Sequence, residues 1–336
     1  MTKVGGQKSK VGRSMALSIF VTLLLAFSFP AHAQQPKKVP RIGYVFESAA
    51  LAATDLKAFH DRMRELGYVE GTNIAYEPRY WEGKVARLPE LVADLVRLNC
   101  AVIVAIGNEA SEAAKNATKE IPIVITNTND AVRNGFVASL ARPGGNITGL
   151  TNLGGDLTGK RLELLKEIIP KLARVGFLWD SASLTAIDNL KYSEAVAPSL
   201  RIQIQSLEVQ GPDDIERKIQ SAAKQRVQAL MLESSGFFTA HQSLVIEQVA
   251  KSRLPTIYGN SRYVEAGGLM TYSFDRKDRF RRTADYVDKI LQGRKPAEMP
   301  VERPSKVEFM INLKTAKQIG LTIPPNVLAR ADKVIK

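Results

Sequence analysis

From Arg41 to Gly259 the sequence alternates between short, β-rich apolar runs and amphipathic helical repeats, and that alternation leaves few folds open. Strands separated by helices pair parallel, and the helices cover both faces of the sheet. The pattern predicts strands at Arg41–Phe46, Asn73–Arg79, Ala101–Ile106, Pro122–Thr126 and Ile147–Thr151. A second series follows at Arg174–Trp179, Ile202–Val209, Gln228–Glu233 and Pro255–Gly259. Leu56, Phe59, Met63 and Leu66 recur at helical spacing before Gly67, a residue suited to the position just past a helix end. Leu88, Leu91, Val92 and Leu95 do the same, and Pro89 and Pro212 fall in first turns, where a missing N–H costs little. Two βα series of similar length imply an α/β protein of two lobes.

Beyond Gly259 the regular series stops but the chain does not. Leu269–Ser273 reads as a strand, and Asp275–Leu291 as a long helix with Phe280, Ala284, Val287 and Leu291 inward. Lys306–Asn312 reads as another strand and Leu313–Ile319 as a short helix ending at Gly320, while Lys295–Pro304 has a linker composition. One arrangement returns the chain to the first lobe and then crosses it again, with three crossovers near residues 151, 268 and 300. The N-terminal lobe would then comprise 40–151 plus 269–298, and the C-terminal lobe 152–268 plus 299–336. A single appended subdomain is the other arrangement these patterns allow.

At the amino terminus Lys3, Lys8, Lys10 and Arg13 precede the uncharged stretch Met15–Phe29 and then Ala31-His32-Ala33. This is the order of an export signal, residues 1–33, with cleavage expected after Ala33 and a mature chain starting at Gln34. About 15 apolar residues fall short of the roughly 20 that a spanning helix needs. Gln34 rather than a cysteine stands directly after the cleavage position, so no lipid anchor is expected there and a soluble periplasmic product is. Without residues 1–33 the formal charge falls from +13 to +9. The densest basic run, Arg276, Lys277, Arg279, Arg281 and Arg282, is broken by Asp275 and Asp278 and reads as a solvated helix face. No nucleic-acid recognition motif accompanies it, so no nucleic-acid partner is expected. The single cysteine, Cys100, has no disulfide partner within the chain and reads as a small buried side chain.

A search for chemistry returns little. His60 and His241, the histidines beyond the signal, each lie on a predicted helix with no second ligand at metal spacing. There is no Gly-x-Ser-x-Gly elbow and no Gly-x-Gly-x-x-Gly fingerprint. Gly154-Gly155-Asp156-Leu157-Thr158-Gly159-Lys160 fits the first seven positions of a phosphate-binding loop, but Arg161 replaces the hydroxyl that would hold Mg²⁺. It reads instead as a Gly-rich hinge before a helix at Lys160–Ile169. No catalytic residue, metal or cofactor is expected.

In open parallel sheets a ligand lies beyond the carboxyl ends of the strands, where loops lead into helix N-termini. Those ends carry hydroxyls, amides and acids in both predicted lobes. They supply Phe46, Glu47, Ser48, Gly107, Asn108, Asn127 and Asp130 in the first lobe, and Ser181, Glu233, Ser234, Ser235 and Asn260 in the second. Helix caps use the same residue types, so the clustering at equivalent points of both lobes carries more weight than any member.

Several longer segments resemble a known family. They are Arg64-Glu65-Leu66-Gly67-Tyr68-Val69-Glu70-Gly71, Ala138-Ser139-Leu140-Ala141-Arg142-Pro143-Gly144-Gly145-Asn146-Ile147-Thr148-Gly149 and Val264-Glu265-Ala266-Gly267-Gly268-Leu269-Met270. With Gly159-Lys160-Arg161-Leu162-Glu163-Leu164-Leu165-Lys166 and Ile311-Asn312-Leu313-Lys314-Thr315-Ala316, they are similar to ABC transporter substrate-binding proteins of the tryptophan/tyrosine type. The resemblance runs from about Arg41 to the carboxyl terminus. It implies the type I periplasmic-binding fold: two doubly wound parallel-sheet lobes joined by three crossovers, with a ligand in the cleft. It also implies an ABC permease and its ATPase subunits as partners, and no catalysis. Asp130 matches the Asp of an Asp-Pro-Val pattern common in the family, with Ala131 in place of the proline; a second-lobe Asp-Pro is replaced around Ser234-Ser235-Gly236. Asp130 is carried over on this basis, whereas tryptophan or tyrosine as the ligand is not, and Trp81 and Trp179 read as packing residues.

The expected function is capture of a small-molecule ligand, an amino acid or related carboxylate, by a monomer serving an importer. Helix N-termini and hydroxyls, Asn108 and Ser234 among them, would hold the carboxylate, and Asp130 or Glu233 an ammonium. The alternatives are a sensory ligand-binding protein, or a soluble hydrolase or transferase with a nucleophile and base converging on the cleft.

Overall fold

The computed structural model describes residues 1–3, 39–152, 155, 157–233 and 235–336. Residues from Val39 to Lys336 cluster as one unit. The expected export signal lies outside the described residues. Among those described, no helix is long and apolar enough to cross a membrane.

Two sheets carry the fold. The first holds β1 (Arg41–Phe46), β2 (Ala75–Tyr80), β3 (Val102–Ile106), β4 (Ile123–Asn129) and β5 (Ile147–Asn152), all parallel in the order β2-β1-β3-β4-β5. The strand β3, Val-Ile-Val-Ala-Ile, is buried on both faces, as a central strand between two helical layers must be. Pro78, which has no N–H to give a ladder, lies on the edge strand β2. The second sheet holds β6 (Arg174–Asp180), β7 (Gln203–Val209), β8 (Ala229–Leu232), β9 (Thr256–Tyr258), β10 (Met270–Phe274), β11 (Val307–Asn312) and β12 (Lys333–Ile335). Its order, β7-β6-β8-β9-β10-β11-β12, repeats that of the first sheet and adds two strands at one edge. Only β10–β11 is antiparallel. Both lobes are therefore doubly wound, and in each the strand order reverses beside the first strand, where a crevice opens at the carboxyl ends.

The strand predicted at Leu269–Ser273 and assigned above to the first lobe with 269–298 is corrected here. β10 pairs with β9 and β11 in the second sheet, because its partners' edges lie there. The chain leaves that lobe only after Phe274. The helix Arg276–Leu291 then packs on the first lobe beside the helix Ala49–Glu65, with Phe280, Ala284, Val287 and Ile290 joining Tyr44, Phe46, Phe59 and Met63 in one apolar cluster. Full burial of each of the larger aliphatic or phenylalanine side chains among them contributes about 1.5–3 kcal/mol. Arg62 Nε donates to Asp285 at 2.7 Å and Tyr68 Oη to Asp288 at 2.9 Å across the same seam. Residues 299–302, assigned above to the C-terminal lobe, still lie on the first, since Val301 N and Glu302 N donate to Leu140 O and Gly149 O.

The basic run on this helix is not uniformly solvated. Arg281 and Arg282 reach Glu65 and Glu302 at the surface, but Arg279 is 6% exposed and Arg276 pairs with buried Asp55. The helix straddles the lobe boundary, so its first turn faces protein on the side that sequence periodicity would assign to water. Cys100 is buried, and burial pushes its thiol up to about 11. His60 stacks on Tyr76 with ring centroids 4.4 Å apart, and the His241 ring lies 2.9 Å from Phe237 O.

Candidate functional site

The carboxyl ends of the two sheets converge on one cleft. Two adjoining cavities of about 90 Å³ each share Asn127, Asn129, Asn260 and Arg279 as lining residues. Of the candidate residues, Phe46, Glu47, Gly107, Asn108, Asn127, Ser235 and Asn260 line the first cavity, and Glu233 the second. Most hold local structure as well. Ser235 Oγ and Asn260 Oδ1 cap helices by accepting from Phe238 N and Arg262 N, and Asn108 Oδ1 accepts from Asn129 N at 3.0 Å.

Three other candidates line neither cavity. Ser48 caps Ala49–Glu65, Ser181 N donates to Val209 O, and Asp130, at φ +43°, closes a turn by accepting from Arg133 N. Ser183, two residues past Ser181, caps Leu184–Val196 and reaches the first cavity. Ser234 lies outside the described residues. Glu233 lies 3.7 Å from the Arg161 guanidinium, which also donates to Tyr272 O and Gly259 O. Arg161 thus ties together the ends of β8, β9 and β10. Lys160, the lysine of the phosphate-loop pattern, points to surface Glu163.

The sequence did not single out Asp55 or Arg262, read Arg276 and Arg279 as part of a solvated helix face, and read Trp81 as packing. Asp55, buried on Ala49–Glu65, accepts from Arg262 Nη2 of the second lobe and from Arg276 Nη1 at 3.1 Å, so one carboxylate fastens the two lobes across the cleft. Arg133 pairs with Asp188 across the same gap at 2.9 Å but is exposed, and such pairs are worth little. Trp81, 5% exposed, lies against Gly236 so closely that a Cβ there would stand 2.9 Å from its ring. A side chain at 236 would displace the Trp81 ring or crowd it across the cleft. Trp179 packs in the second lobe, its Nε1 donating to Ser206 Oγ at 2.8 Å.

Buried polar atoms without a hydrogen-bond partner concentrate here: Glu47 Oε1, Trp81 Nε1, Arg262 Nε, Ser273 Oγ and Arg279 Nε. Such atoms are rare in folded proteins, and each needs a partner such as a water or a ligand. Burial raises the Glu47 carboxyl from 4.5 to about 8, opposed by Arg262 and by a backbone hydrogen bond from Ala240; burial also raises Glu109. An acid whose folded pKa lies above its unfolded one contributes stability in full below about pH 4.5 and loses it as pH climbs towards 8. On this account the ligand-free protein gains stability between pH 8 and pH 5 and Glu47→Gln flattens that gain. Thermal melts of both proteins across the window measure it, and parallel slopes would remove Glu47 as the cause.

The sequence pattern of the family described as ABC transporter substrate binding protein matches residues 44–335. A curated relative, the tyrosine-binding protein of Clostridioides difficile (strain R20291), is 23% identical over 266 residues, covering 79% of this chain and 76% of that protein. A conserved domain protein from Vibrio cholerae is 26% identical with a TM-score of 0.83, over 88% of this chain and 100% of that one. An ABC domain from Streptococcus pneumonia in complex with L-Trp is 25% identical with a TM-score of 0.79, again over 88% and 100%.

Proposed function

The chain belongs to the ABC transporter substrate-binding protein family, and from that premise we propose that it captures a small solute of the amino-acid class in the cleft between its lobes. The periplasm is its place of action, an ABC permease with ATPase subunits its partner, and a monomer its working form. The site binds without catalysing. The observation that carries this reading is the convergence of strand ends from two doubly wound lobes on one polar cleft, bridged by Asp55 with Arg262 and Arg276. Relatives named for tyrosine binding or holding L-Trp support the amino-acid class.

A solute between the lobes shifts their equilibrium only through its higher affinity for the closed state, so it must touch both. Because it binds the native and not the unfolded chain, 100 times its dissociation constant adds about 2.7 kcal/mol of stability. Mass spectrometry of the solute that co-purifies from the periplasm identifies it, and calorimetry gives its affinity. Small-angle scattering should then show a smaller radius of gyration with the solute than without. A tight solute that left the scattering unchanged and touched one lobe only would defeat the clamshell.

A further inference from the structure

The cleft arginines are not alike. Arg161 faces Glu233, Arg262 faces Asp55, and Arg276 faces both Asp55 and Glu265. Arg279 has no ion-pair partner among the described residues. It lies in the first turn of Arg276–Leu291, is 6% exposed, and is the one arginine that lines both cavities without a carboxylate against it. Its Nη1 donates to Asn127 Oδ1 and its guanidinium stands 5.8 Å from the Phe274 ring centroid, while its buried Nε donates to nothing.

We propose that Arg279 is the anion-holding residue of the cleft, and that the solute carries a carboxylate seated on this guanidinium, where Asn127, Asn129 and Asn260 line both cavities. The proposal rests on the solute-binding reading and adds to it the charge of the solute and the residue that selects it. A guanidinium withdrawn from water with no carboxylate in contact, only Asp55 and Asp275 acting on it from farther off, is costly in the free protein. The same desolvation makes it a strong, directional partner for a planar carboxylate. Burial lowers Arg279 only to about 10, so it stays charged at neutral pH. Asp55, Glu47 and Glu109 line the first cavity and Glu233 the second; Asp55 and Glu233 already face arginines, and burial raises the Glu47 and Glu109 carboxyls.

The test is a thermal-shift and calorimetric comparison of the full chain, Arg279→Gln and Arg279→Lys. The probes are four sets of compounds: free amino acids and simple monocarboxylates, the primary amides of the same compounds, amines, and neutral sugars. Carboxylates are expected to stabilise the wild type, their amides to bind at least about tenfold more weakly, and Arg279→Gln to lose carboxylate affinity by at least about tenfold. Arg279→Lys restores only part, because a point charge lacks the flat Nε edge. Without ligand, Arg279→Gln should melt no lower than the wild type. If that variant fails to fold, the wild-type carboxylate–amide comparison and the lysine variant decide the matter. A sugar or amine as the tight binder, or a carboxylate that binds Arg279→Gln unchanged, would overturn the role of Arg279 and leave solute binding standing. If no compound stabilised the wild type and periplasmic protein carried no solute, the solute-binding reading would fall and this one with it.

Discussion

Gly149→Ala is expected to cost about 2 to 6 kcal/mol, adding the strain of a non-glycine residue at positive φ to an overlap that the neighbour cannot relieve. Gly149 sits on β5 at φ +129°, opposite Ile125 of β4. An added Cβ would stand 2.1 Å from Ile125 O and 2.8 Å from Ile125 N, and both are backbone atoms fixed in the sheet. The register of this pair shifts just beyond it, between Ile125 and Thr128, and that shift presents Asn127 and Asn129 to the cleft. The substitution should therefore damage ligand binding as well as stability. Gly145→Ala is the control, since a Cβ there meets nothing within 4 Å, and it should stay within about 0.5 kcal/mol of the wild type. Urea unfolding measures both; equal midpoints for the two variants would show that β4 and β5 separate more easily than their geometry implies.

Arg161→Ala is expected to destabilise the second lobe by about 3–5 kcal/mol, the range for removing one partner of a buried ion pair. Both side chains are 8% exposed, and the arginine also occupies the carbonyls of Gly259 and Tyr272. Its removal takes this guanidinium away from the buried Glu233 carboxylate. Adding Glu233→Gln should recover a substantial part of the loss, because the amide carries no charge to desolvate. The double-mutant cycle in urea measures this coupling. Purely additive losses would mean that Arg161 acts through the two carbonyls alone.

These residues show where reading the sequence ends. Alternation of apolar runs was enough for two α/β lobes, since a β3 of Val-Ile-Val-Ala-Ile between amphipathic helices has no stable place except the middle of a covered parallel sheet. The ends of strands were legible for the same reason, and eight of the twelve candidate residues line the cleft cavities. Ser48, Ser181 and Asp130 line neither cavity; the Ser48 and Asp130 side chains serve a helix cap and a turn, roles that use the same residue types as ligand contacts.

The sequence by itself determined the local chemistry: which segments are strands, which helices are amphipathic, and where loops turn polar. All of that follows from interactions between residues near one another along the chain. Tertiary structure alone decided which lobe each late segment joins. β10 went to the second sheet because β9 and β11 offered it hydrogen bonds, and the helix after it went to the first lobe because Ala49–Glu65 offered an apolar face. That crossing turned a run of basic residues into a buried Arg279 and a lobe-bridging Arg276, placed within reach of Asn127 and Asp55 at separations of 152 and 221 residues. Contacts of that kind depend on the path of the whole chain, and no pattern in a local window encodes them.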